Sequence, residues 1–209
     1  IMNRFKVCCM LVMLYCLPLL TIAQTMQQRL KNIPDSIFPY LSQNVYKDIV
    51  NSPLNETATM VNVFGDTLRQ KRLTNSDLEF ETQNFKVQAK LLVRNLEKDT
   101  ILCFVKTFFG PAAESEVRFY DKNWCLLPSE KFVDLDTLQL LACPDTMKLS
   151  VFENLCSLIE PKMIFVFLSP TEPVLEYEYS LPLLNSEETK KVRAIMCKRK
   201  LKWNGEIFN

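Results

Sequence analysis

The 209-residue chain carries 25 basic and 24 acidic residues, a near-neutral balance that argues against nucleic acid as a partner. It has no histidine and only three glycines, Gly65, Gly110 and Gly205, each isolated. These shortages exclude His-activated nucleophiles, the usual zinc and non-haem iron sites, phosphate-cradling loops and the dinucleotide fingerprint, so neither a metal nor a cofactor is expected.

The chain opens with Arg4 and Lys6, then an almost wholly apolar run over residues 7–22, then Thr21-Ile22-Ala23. This is the layout of a secretory signal peptide with cleavage between Ala23 and Gln24. At 16 residues, with Pro18 near its end, the run falls short of the roughly 20 needed to span a hydrocarbon core. The expectation is therefore a signal peptide over residues 1–23 and a single exported domain over 24–209, in the periplasm or outer envelope, with no transmembrane span once the signal is removed. At 186 residues the mature chain is long enough to bury a substantial core without staples.

Residues 26–32 predict one or two helical turns ending at Pro34, with Asp35 and Ser36 offering caps for a second start. Ser42 would cap a helix over 43–51, where Val45, Ile49 and Val50 recur at helical spacing. From Ala58 the period changes to two. Strands are expected over 60–64, 78–82, 85–93, 101–109 and 116–120, separated by turn-forming pairs such as Gly65-Asp66 and Gly110-Pro111. Residues 133–149 give no clear pattern. A short helix is expected over 151–159, then strands over 163–168 and 174–180 about the Pro-rich connection SPTEP. A helix from Ser186 to about Arg199 follows, acidic at its start and basic towards its end, and then a last strand or extended tail over 201–208. The fold class is α+β: an antiparallel meander with an N-terminal helical segment and a C-terminal helix.

Five cysteines belong to the mature chain, Cys103, Cys125, Cys143, Cys156 and Cys197, an odd set with no C-x-x-C spacing. Buried free thiols are the first expectation, and one or two bridges in an oxidising compartment the second.

Four stretches, IPDSIFPYL, FGDTLRQKRLTNSDLEFE, VKTFFGPAAESEVRFYDKNW and LKWNGEIF, resemble, in that order, a family of exported Bacteroidales proteins known as a domain of unknown function. The resemblance covers nearly the whole mature chain and implies an envelope location in a Gram-negative anaerobe. It carries over no catalytic residue.

Three constellations stand out. Asp, then Ser or Thr, then an apolar residue occurs at five places, against roughly 0.4 expected by chance. The pattern is similar to an O-glycosylation acceptor of exported proteins in such bacteria, which makes Ser36, Thr67, Thr100, Thr137 and Thr146 candidate acceptors. It is equally what begins a helix or strand, because Asp-Ser and Asp-Thr pairs bond nearby backbone amides. Secondly, Glu172, Glu176 and Glu178 in or beside VLEYEYS, and Glu114 and Glu116, offer carboxyl pairs of the kind glycoside hydrolysis uses. Such alternation is also what any half-exposed strand shows. Thirdly, Lys190, Lys191, Arg193, Lys198, Arg199, Lys200 and Lys202 form a candidate patch for anionic surfaces, or else a solvated helix face.

With surfaces to offer and little chemistry, the chain reads as a non-enzymatic binding or structural module whose partner is an envelope protein or glycan. A carboxylate-dependent hydrolase acting on glycans is the alternative, and no catalytic residue is assigned.

Overall fold

A computed structural model describes residues 24–38, 41, 43–61, 65–135, 138–181 and 183–209 of the chain. The signal segment through Ala23, the cap Ser42 and the acceptor Thr137 lie outside the described residues.

Two helices precede the sheet, α1 (Met26–Leu30) and α2 (Gln43–Asn51). Thr25 and Gln28 form a reciprocal capping box that sets the start of α1. Val45 and Ile49, one turn apart on α2, are both buried.

The meander follows as β1 (Ala58–Val61), β2 (Thr67–Leu73), β3 (Asp77–Glu81), β4 (Phe85–Val93), β5 (Thr100–Phe108), β6 (Glu114–Tyr120) and β7 (Leu126–Leu127), all antiparallel in sequence order. The expected meander is thus present, with β2 and the two-residue β7 added. A residue inserted between Gln70 and Arg72 shifts the register there and breaks the period of two in TLRQKRL. Leu68, Gln70 and Leu73 of that polar-looking stretch are nevertheless all buried.

Strict alternation along β4 and β5 divides the sheet into two apolar faces. Val87, Ala89, Leu102 and Phe104 face α1 and α2 and pack with Met26, Leu30, Phe38, Tyr120 and Trp124. Ile101, Cys103, Val105 and Phe119 face the other way, into a second core. Burying each large apolar side chain contributes about 1.5–3 kcal/mol, so both faces need a cover.

The second cover is a separate three-stranded antiparallel sheet in the order β10-β9-β8, made of β8 (Ile164–Leu168), β9 (Val174–Tyr179) and β10 (Arg199–Lys202). Its inner residues Val166, Leu168, Leu175 and Tyr177 complete the second core with Phe132, Trp203 and Phe208. β8 is the edge strand that meets β4, β5 and β6. Its outward backbone groups are taken by side chains of the large sheet: the Gln88 amide donates to Leu168 O (3.0 Å) and accepts from Leu168 N (3.2 Å), and Ser115 Oγ accepts from Val166 N (2.9 Å). An edge that would otherwise be a template for further pairing is closed from within.

Helices α3 (Leu149–Ser157) and α4 (Ser186–Arg193) pack on each other through Leu155, Ile159, Val192 and Ile195. The expected C-terminal helix is shorter than the charge pattern implies. It starts at an Asn185–Glu188 capping box and stops at Ala194, because Met196 pairs with Leu141 and residues from Arg199 enter the small sheet. The tail then folds back. Trp203 Nε1 donates to Val93 O (2.9 Å), and Gly205, at φ 104°, leaves no room for a Cβ beside the Asn95 side-chain amide.

Candidate functional site

A half-open cleft of about 370 Å³ lies where the two sheets diverge beyond β8. Val117 and Phe119 of β6 form one wall and Ile164 and Val166 of β8 the other. Ser129, Val133 and Leu135 close a third side, following a single 3-10 turn at Ser129–Lys131. Glu130 and Asp134 stand exposed at its margin. The polar wall atoms have protein partners: Ser115 Oγ lies 2.8 Å from Thr107 Oγ1 and holds Val166 N, and Ser129 Oγ donates to Val117 O (3.2 Å).

Tyr177 of β9 is the exception. It lines the cleft, is 2 % exposed, and its hydroxyl has no hydrogen-bond partner among the described residues. An orphaned buried hydroxyl costs about 1–3 kcal/mol, and a phenylalanine would fill the same space without that cost. Burial, reinforced by the neighbouring Cys103, pushes the phenol far above its ordinary value, so it stays protonated and is a donor in search of an acceptor. The alternation in VLEYEYS already placed Tyr177 on the face opposite Glu176 and Glu178, but nothing in the sequence said that a cleft would sit against it.

On the outer face of the small sheet a shallow groove runs over Phe165, Phe167, Glu176, Glu178 and Lys198. It leads into a wider hollow of about 500 Å³ lined also by Tyr179, Arg193, Met196 and Cys197. Here two of the constellations meet. β9 and β10 are paired so that Lys200 lies opposite Glu176, and the ion pairs are Lys198–Glu178 (2.8 Å), Lys200–Glu176 (2.7 Å) and Lys202–Glu172 (3.3 Å). The carboxylates and three of the candidate patch lysines are each other's partners. Lys191 is paired with Glu187 (2.6 Å), and Arg199 donates to Gln139 O (2.9 Å). Lys190 and Arg193 lie exposed on α4. Glu116, which meets Arg118, and Glu114 are both exposed.

The candidate acceptors fall at boundaries. Ser36 and Thr146 are exposed in turns, and Thr67 is exposed at the first residue of β2. Thr100, the first residue of β5, is half-buried, and its Oγ1 lies 3.5 Å from Arg29 Nη2. Asp99 does not cap the backbone ahead of it. Its carboxylate receives two bonds of 2.7 Å from the Arg94 guanidinium, which hold it below the usual aspartate range.

The thiols follow the first expectation in being free and depart from it in burial. Only Cys103 is buried; Cys125 and Cys143 are exposed, Cys156 and Cys197 are half-buried, and all five are free. Among the described residues no group of three or more Cys, Asp or Glu side chains is placed to hold a metal ion, and no helix is long and apolar enough to cross a membrane.

The sequence matches the family described as protein of unknown function DUF3256 over residues 19–208. The chain belongs to that family. The fold of the family member described here is similar to the structure of a domain of an uncharacterized protein from Porphyromonas gingivalis W83, with a TM-score of 0.75 at 19% identity, covering 88% of this chain and 97% of that one. At that identity the likeness is one of fold. No protein with a curated description matches the sequence.

Proposed function

We infer that the protein, a member of DUF3256, is an exported, non-enzymatic binding or structural module of the cell envelope. The observation that carries this reading is the division of chemistry between the inter-sheet cleft and the groove on the outer face of the small sheet. The cleft is walled mostly by apolar side chains and lined also by Tyr177, whose phenol stays protonated, whereas Glu176 and Glu178 of β9 are paired with Lys200 and Lys198. Binding surfaces of this kind need shape and a few placed polar groups; hydrolysis needs a carboxyl free to give up its proton. Export rests on the charged, apolar and small-residue order of residues 4–23. Ser36, Thr67 and Thr146, exposed at turns or a strand start, are its proposed sites of glycan attachment.

Envelope fractionation with N-terminal sequencing tests the reading: Gln24 as first residue supports it, and full-length protein in the cytoplasm overturns it. The hydrolase alternative draws on Glu176 and Glu178 facing one groove beside Phe165 and Phe167. It predicts glycan turnover that E176Q or E178Q abolishes.

A further inference from the structure

We propose that the inter-sheet cleft binds a small uncharged ligand with an apolar body and a carbonyl-type acceptor at its buried end, which receives the Tyr177 hydroxyl. The assignment rests on the binding-module reading above and names the kind of ligand that module takes.

Four observations lead to it. At about 370 Å³ the cleft lies within the roughly 300–1,000 Å³ range of small-molecule pockets. Its walls are apolar at Val117, Phe119, Ile164 and Val166, so transfer of an apolar body out of water drives entry. Tyr177, one of its lining residues, carries a buried donor with no partner among the described residues, and an acceptor reaching it satisfies a group that is otherwise a net loss to the fold. The margin carries the exposed Glu130, whose charge disfavours an anionic ligand. A fatty acid anion is thereby set against a ketone, ester or amide of the same size, and the uncharged compound is preferred.

The same lining excludes simpler accounts. Ser115 and Ser129 are already engaged in holding β6 to its neighbours, so they define the walls and leave Tyr177 to read the ligand. A tyrosine retained only for its ring would be interchangeable with phenylalanine in every binding measurement.

The test uses the mature chain and 1-N-phenylnaphthylamine, an uncharged probe that fluoresces in apolar sites, with three competitors of similar size: butyrophenone, butylbenzene and 4-phenylbutyrate. The expected result is displaceable probe binding, with butyrophenone ahead of butylbenzene by roughly three- to tenfold, the worth of one hydrogen bond. Y177F should erase that preference while still binding the probe. Phenylbutyrate should compete worst, with the gap narrowing as salt screens the margin. V117W, which fills the cleft, should lose the probe; should it fail to fold, the Y177F comparison decides alone. Absence of displaceable binding, equal competition by ketone and hydrocarbon, or a ketone preference that survives Y177F would each overturn the assignment. The broader reading fails separately, on glycan turnover lost in E176Q.

Discussion

Gln88 and Leu168 form a two-way bond between the sheets: the side-chain amide of one meets both backbone groups of the other, at 3.0 and 3.2 Å, as a neighbouring strand would. Gln88 is 2 % exposed, so neither Leu168 group has water as a substitute partner. Q88L keeps the volume and removes both bonds, leaving a buried N–H and C=O unsatisfied. A loss of roughly 2–4 kcal/mol is expected from urea unfolding, with much faster exchange of the Leu168 amide. An unchanged midpoint would mean that the small sheet is held by its apolar contacts alone.

Trp124 sits at φ 64°, in the left-handed region, within the turn between β6 and β7. Its indole N–H donates to Arg29 O (3.1 Å), tying α1 to that turn. W124A should cost about 3–5 kcal/mol in lost packing. W124G loses the same contacts but relieves the backbone, so it should be more stable than W124A by about 1 kcal/mol, the reverse of the usual order of alanine and glycine. Thermal or denaturant melts of the two variants decide it.

The thiols give a map of accessibility. A small neutral maleimide at pH 7 should modify Cys125 and Cys143 first and Cys156 and Cys197 more slowly. Cys103, fully buried and pushed up by burial despite Lys90 nearby, should react only on unfolding. Peptide mapping after timed quenching reads the order, and early labelling of Cys103 would contradict the packing of the second core.

Much of this architecture is legible in the residues. The change of period at Ala58, the alternation through β4 and β5, and the proline-rich connection between β8 and β9 all follow from side chains that must face a core or water. What escapes the sequence escapes for identifiable reasons. β2 is masked by its bulge and by Arg69, Lys71 and Arg72, whose charges are absorbed in part by Glu79 and Glu81 on β3. The end of α4 is invisible because the basic run that suits a helix terminus also suits a strand whose partner is acidic. Most consequentially, the glutamates in or beside β9 and the lysines in or beside β10 are 20 to 30 residues apart in the chain, so their mutual neutralisation needs the strand register to be seen. Tyr177 is legible as inward-facing, and its lack of a partner is legible only in the fold.

That neutralisation has a direct consequence at surfaces. The wild-type protein should bind anionic vesicles weakly, because Lys198, Lys200 and Lys202 face carboxylates. The triple variant E172Q/E176Q/E178Q frees all three, and each lysine near an anionic surface is worth about 1 kcal/mol at low salt. Vesicle co-sedimentation should rise by at least tenfold and fall again with added salt. Equal binding by the two proteins would show that the ion pairs leave the patch active.

Native mass spectrometry of the protein isolated from its host's envelope fraction reads at once whether the chain is exported and whether it carries an uncharged small molecule between its two sheets. The expected species is a chain beginning at Gln24, with or without covalent glycan, bearing a non-covalent adduct that is lost on denaturation and absent from V117W. A native mass equal to the denatured mass, with the cleft open to the neutral probe, would contradict it.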